Sequence, residues 1–423
     1  MSLGRLSFYL LGATLLVLAA CAERPTGSQV SGSVTVRIPW KDEQGGVTLQ
    51  TVVLTGLENL QEMKGAYAQF VYAPKILDDG IEGATPHAQF AKTSAGVYVP
   101  TDETSQQMAV IYAHMEHLAK LDEAAGVKSV LSWPRKIGIS ARIRGRDGQL
   151  WTDNSFYDGA SDAILMVPNK KGQWPLATNP GVIAHEHFHA LFFHLVQGPL
   201  LEEKVLSRTL RSSAHDEGKV LDNFDLASDQ KKEQKAPRRS DLAFDEATYN
   251  TAVIKMINEG LADVWGWIYS GQPDFIEKSL PRYKTFRSLR AEGVGHRLTE
   301  PSQIATIVTD CLYGGQPDAC VNDLAYGPGA TLSRAVRSVF LGDLQDTGDS
   351  ARLVRERLAG RLMKALPLVA EKVRTSTAES RMDLHKVLQA IMEAEETSSE
   401  EKAAAAQWLV EKPVEEPTKE EAP

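Results

Sequence analysis

The chain has 423 residues, 43% of them hydrophobic and 24% charged, enough apolar material for a sizeable core and two or three domains. Lys and Arg number 46 against 55 Asp and Glu, a net charge of −9. That sign argues against a chain whose main partner is nucleic acid, because phosphate neutralisation needs a basic surface. Collagen-like, disulfide-scaffold and wholly disordered classes are excluded by the same composition.

At the N-terminus, Arg5 precedes an apolar run from Leu6 to Ala20. This is the layout of a secretory signal, and it is shorter than the roughly 20 residues a membrane-spanning helix needs. The run closes in Leu18-Ala19-Ala20-Cys21, which resembles a bacterial lipoprotein box. The resemblance implies removal of residues 1–20, a lipid on Cys21 and attachment to a bacterial membrane without a spanning helix. Ala22, not Asp, follows the Cys, so the outer membrane or cell surface is the expected location. Residues 21–33 are small and polar and read as a tether.

Alternating apolar residues at 34–40 and 47–54 predict strands joined by a Gly-Gly turn near Gly45. FVYAPKI and VYVPTDE continue the β-rich character, and 34–95 is taken as a segment that suits a stalk or the remnant of a pro-region. From Gln107 the period changes: Met108, Ile111, Met115, Leu118 and Leu121 share one face of a helix ending at Gly126. IGISARIRGRDGQLW reads as a hairpin turning at Asp147-Gly148. Residues 154–169 read as strand, turn and strand, and 182–196 and 248–271 as helices. Between those helices, 202–247 is charge-dense without apolar periodicity, an exposed insertion. The C-terminal third is helical, and 396–423 is taken as an acidic tail, disordered at its end. Cys311 and Cys320 flank one polar, Gly-rich stretch, DCLYGGQPDAC. In a chain that leaves the cytosol they are expected to form a local disulfide.

His185-Glu186-His187-Phe188-His189 is an H-E-x-x-H within a helix. The i, i+4 spacing puts His185 and His189 on one face, where both can bind a single Zn²⁺, with Glu186 placed to take a proton from water. His187 points away from that face and His194 lies outside the spacing, so both are expected to pack or face solvent. The second helix carries Glu259 and Asp263, again i, i+4. One can complete the metal site while the other accepts the free N–H of a ligating His. Two inward carboxylates on so apolar a helix are costly without a cation to meet them.

These motifs resemble the gluzincin metallopeptidases, in their thermolysin-like and fungalysin-like branch. Asn154-Ser155-Phe156-Tyr157 is similar to that branch's substrate-binding edge strand, and Phe286-Arg287-Ser288-Leu289 to the segment whose Arg meets the substrate carbonyl. The resemblance implies an α+β, two-lobe metallopeptidase domain over 96–395. A mixed α/β lobe would carry the active-site helix, with a mainly helical C-terminal lobe beside it. It implies zinc on His185, His189 and Glu259, Glu186 as general base, Asp263 orienting His185, and substrate contacts from Asn154, Ser155 and Arg287. The chain departs from the branch twice. The third ligand comes 259 − 189 = 70 positions after the second His, and Ala325-Tyr326-Gly327-Pro328-Gly329 stands where the branch has an oxyanion-stabilising His. Tyr326 is expected in that role, with His296 as its rival.

The expected function is a membrane-anchored zinc endopeptidase acting on proteins or peptides outside the cytosol. A non-catalytic zinc-binding surface lipoprotein that binds a protein partner is the alternative, and a hydrolase of a non-protein amide is a third reading.

Overall fold

A computed structural model describes residues 31–41, 47–77, 80–145, 150–170, 175–207, 218–220, 244–281, 286–290, 297–313, 317–345 and 351–409. Cys21, the turn residues Gly45, Asp147 and Gly148, His296, most of the charged insertion and the extreme C-terminus lie outside these residues.

The two first strands form as their alternation dictates. β1 (Gly32–Lys41) and β2 (Val47–Asn59) pair antiparallel, with Val36 opposite Val52 and Lys41 opposite Val47. With β3 (Lys64–Gly65), β6 (Phe90–Lys92) and β7 (Tyr98–Pro100) they make a five-stranded sheet in the order β3-β2-β1-β7-β6. A second sheet joins β4 (Ala68–Leu77), β5 (Gly80–Ala84), β8 (Arg135–Ile139), β10 (Ser155–Asp158) and β11 (Ala163–Met166) in the order β10-β11-β8-β4-β5. β11, β8 and β4 run parallel, and β10 turns back along β11 at the end of the sheet. Strands from 34–95 are thus built into both sheets, and β6 pairs with β7 across the expected boundary at residue 95.

The helix expected after Gln107 is α1 (Glu103–Ala124), capped by Asp102, whose side chain accepts from the Ser105 N–H, and followed by Gly126 at φ +77°. Met108, Ile111, Met115 and Leu118 are fully buried. α1 ties the molecule together. Its Tyr112 hydroxyl donates to the Thr55 carbonyl of β2 at 2.9 Å. Asp122 lies 2.8 Å from His187 on α2 (Pro180–Phe192), and His114 lies 2.7 Å from the Tyr269 hydroxyl of α4 (Glu246–Ser270). Trp151 N–H donates to the Ile143 carbonyl, as in the expected hairpin, but β9 (Ile143–Gly145) takes β12 (Gly218–Val220) as its strand partner.

A π-turn at Phe193–Gln197 prolongs α2 into the short α3 (Gly198–Glu202). After α4 come α5 (Phe275–Ser279), α6 (Pro301–Tyr313), α7 (Pro317–Gln345), α8 (Ala351–Arg374), α9 (Leu384–Glu393) and α10 (Ser399–Leu409). Strands dominate the first part of the chain and helices the rest, an α+β arrangement. α10 lies in the first part of the stretch 396–423 that the sequence reading took as an acidic tail. Trp408 is buried and donates to the Ser338 hydroxyl, and Glu401 pairs with Arg361 in the interior. One apolar core runs from Val34 to Trp408.

Candidate metal centre

Two buried helices bring the centre together. Pro180 opens α2 and Asn179 caps it, its side chain accepting from Gly181 N–H, while Asn179 Nδ2 donates to the Phe275 carbonyl and so fixes the helix start to α5. α4 starts on Asp245, whose carboxylate accepts from Thr248 N–H at 2.7 Å. The helices pack through apolar side chains, Phe188 against Trp265 with centroids 6.0 Å apart. Every residue of α2 is buried, so the motif's polar groups must find partners inside the protein.

They find one another. His185 Nε2 and His189 Nε2 are 3.0 Å apart, and Glu259 oxygens lie 3.5 Å from the first and 3.8 Å from the second. Among the described residues, His185, His189 and Glu259 are the one group of three with metal-ligand atoms all within 4.8 Å of one another. A side-chain oxygen stands behind each imidazole, hydrogen-bonded in the case of His189. His185 Nδ1 faces Asp263 Oδ1 at 3.0 Å, and His189 Nδ1 faces Asn258 Oδ1 at 2.9 Å. With protons on both Nδ1 atoms, the Nε2 atoms are left to face the cluster.

The electrostatics ask for a cation. Burial disfavours charge on His185, yet Asp263 and Glu259 raise its pKa to about 9. Burial also works against ionised Glu259, but the hydrogen bond from His185 and the nearby His189 and Arg287 hold it well below the usual carboxylate range. His189 is lowered, by burial first and by its neighbour His185 second. A metal ion would replace the proton that these carboxylates otherwise keep on His185.

Beside this group a cavity is lined by Asn154, Ser155, His185, Glu186, Arg287 and Tyr326, with Leu176, Val182, Phe275, Ile276 and Leu280 as its apolar wall. Glu186 is buried; its Oε1 accepts from the Ser155 hydroxyl at 2.8 Å, and Oε2 has no hydrogen-bond partner among the described residues. Glu259 Oε1 is likewise buried without a hydrogen bond. The donor set of two imidazole nitrogens and one carboxylate oxygen fits a divalent metal and leaves room for a further ligand. Compared with known proteins, the sequence matches no family model and no curated protein.

The structure gathers His185, Glu186, His189, Glu259, Asp263, Asn154, Ser155, Arg287 and Tyr326 in one place. Arg287 is buried and bonded to Asp263 through Nη2 at 2.7 Å and Nε at 3.2 Å, and its guanidinium lies 4.6 Å from the Tyr326 ring centroid. Its loop is held by α7, where Arg334 donates to the Phe286 and Ser288 carbonyls. Two contributors escaped the sequence reading, Asn258 behind His189 and Arg334; Ser155 was expected as a substrate contact, but its hydrogen bond to Glu186 was not. Asn258 had a local signal in its place next to Glu259; Arg334 had none. His187 packs away from the cluster on Asp122, and His194 is partly exposed near Asp162, as expected. Cys311 and Cys320 form the expected disulfide, joining α6 to α7.

Proposed function

We propose that the chain is a zinc metalloendopeptidase of the gluzincin kind, thermolysin-like in its two lobes. In this reading it is anchored through Cys21 at the outer membrane or surface of a bacterial cell and cleaves proteins or peptides. The observation that carries the proposal is the His185–His189–Glu259 donor set beside a second buried carboxylate, Glu186, with one oxygen unpartnered among the described residues. A purely structural metal site has no use for that carboxylate.

Zinc, when bound to His185, His189 and Glu259, supplies a Lewis acid that acidifies water and polarises a carbonyl. Glu186 takes a proton from the attacking water and later gives it to the leaving amine. Asp263 and Asn258 hold the two imidazoles so that their Nε2 atoms face inward. Arg287 and Tyr326, stacked at the cavity, are placed to meet the negative charge that develops on the carbonyl oxygen. Among the described residues β10 ends its sheet, so its outer edge can pair with an extended substrate on both sides of the cut. This favours internal cleavage.

The test is hydrolysis of a fluorescently labelled, unfolded casein by the full chain in detergent, with zinc, with a chelator, and as Glu186→Gln. Activity that needs zinc and falls about 100-fold or more in E186Q, with zinc still bound, supports the peptidase. No hydrolysis by a folded, zinc-loaded wild-type chain would instead favour the binding lipoprotein.

A further inference from the structure

The two oxygens of Glu186 are not equivalent. Oε1 accepts a hydrogen bond from Ser155 Oγ at 2.8 Å, whereas Oε2 is buried with no partner among the described residues. Both side chains line the cavity beside His185. Ser155 opens β10, and the strand fixes where its hydroxyl points. Alternation sends Phe156 to a small apolar cluster with Ala141, Ile143 and Leu165, and leaves Ser155 and Tyr157 on the other face. Tyr157 packs on Phe193 at the end of α2, so Ser155 faces the same helix. Its backbone is anchored too, with Ser155 N–H donating to Asn154 Oδ1 at 3.0 Å and Ser155 opposite Met166.

We propose that Ser155 is a positioning residue: its hydroxyl fixes Glu186 Oε1 and thereby reserves Oε2 as the oxygen that moves the proton. The proposal rests on the peptidase reading of the site. A Glu side chain on a helix has three free torsions and, alone in a cavity, would spread over several rotamers. Ser155 Oγ donates and Glu186 Oε1 accepts, so the Ser155 hydrogen is committed to that oxygen. When Oε2 takes the water proton, Oε1 remains an acceptor for the same hydroxyl, so the contact survives the transfer and the return of the proton to the leaving nitrogen. Ser155 neither gains nor loses a bond to substrate.

The experiment uses the zinc-loaded full chain as wild type, S155A, S155T, E186A and S155A/E186A. It measures casein hydrolysis, zinc affinity by chelator competition, and thermal melting. S155A is expected to lower kcat about 10- to 100-fold, the loss of one hydrogen bond to a charged group, with KM within about twofold. Zinc affinity should not change. S155T, which keeps the hydroxyl, should recover most of kcat, and the drop in melting temperature caused by S155A should vanish in the E186A background. A kcat for S155A within about twofold of wild type overturns the proposal. So does a melting drop that persists in E186A, or labelling of Ser155 by a fluorophosphonate, which would make it a nucleophile. Hydrolysis that needs Glu186 but not Ser155 overturns this inference alone; absence of hydrolysis by the zinc-loaded wild type overturns the peptidase reading with it.

Discussion

Which nitrogen of each imidazole faces inward is decided by groups behind the ligands. Asp263 and Asn258 do this for His185 and His189 at 3.0 and 2.9 Å. Removing such a partner commonly weakens metal binding about 10- to 100-fold without unfolding the site. Asp263→Asn and Asn258→Ala should both fall in that range by chelator competition, with D263N the worse. Asp263 also neutralises Arg287, whose Nη2 lies 3.5 Å from His185 Nε2. Without that carboxylate the guanidinium keeps only Glu259, 3.5 Å from Nη2 and itself a candidate ligand, as its counter-charge beside an incoming cation. Equal losses in the two variants would show that Arg287 does not matter to the metal. At this scale the candidate ligands were legible because HExxH and a second i, i+4 pair are local patterns. The bond from Ser155 to Glu186 and the grip of Arg334 on its loop were not, because each joins residues 31 or 46–48 positions apart.

Helix crossings place those residues. Glu259 is followed by Gly260, where a Cβ would come within 2.5 Å of the Gly329 carbonyl oxygen of α7. α4 and α7 therefore touch backbone to backbone, three residues past Tyr326. Gly260→Ala must push the helices apart, so it should lower the melting temperature and weaken zinc binding together. Gly327→Ala meets only the Phe286 ring, at 3.6 Å, and should be mild in both measurements. The same contact explains a feature the sequence did not yield. Gly327-Pro328-Gly329 reads locally as a helix breaker, yet it lies inside α7 because the close approach to α4 needs glycine there. Long amphipathic segments such as α1, α2 and α4 could be read from periodicity alone. α10 could not, since its polar sequence is held by a buried Arg361–Glu401 pair supplied from α8.

A second junction sets a pH dependence. Asp162, in the turn between β10 and β11, receives Arg135 at 2.6 Å and the Tyr157 hydroxyl at 2.9 Å. Burial pushes its carboxyl up, but the bonds from His194 and Arg135 outweigh this and hold it well below the usual range. A depressed folded-state value contributes stability that is present above the unfolded pKa, about 3.9, and is lost as pH falls below it. Asp162→Asn should therefore melt below wild type at pH 7, partly because Arg135 is left buried without its counter-charge. The gap should narrow as the pH drops below about 4. A gap constant from pH 7 to pH 3 would rule out the ionised carboxylate as its source.

Across the whole molecule, the candidate metal group joins two helices whose His189 and Glu259 are 70 positions apart, 259 − 189, yet belong to one core. That core includes both sheets and all the long helices, so the fold does not depend on the ion as a small zinc finger does. In the metal-free chain, a protonated His185 gives Glu259 and Asp263 a partial substitute for the cation. Circular dichroism of the chelated chain at 25 °C should accordingly be that of a folded protein. On the proposed reading, zinc at about 100 times its dissociation constant should raise the melting temperature by about 3 °C, a gain of about 2.7 kcal/mol. His189→Ala should stay folded and lose the zinc-dependent rise. An unfolded chelated chain would mean that the metal, not the apolar core, holds α2 against α4; an undiminished rise in H189A would place the stabilising ion somewhere other than this cluster.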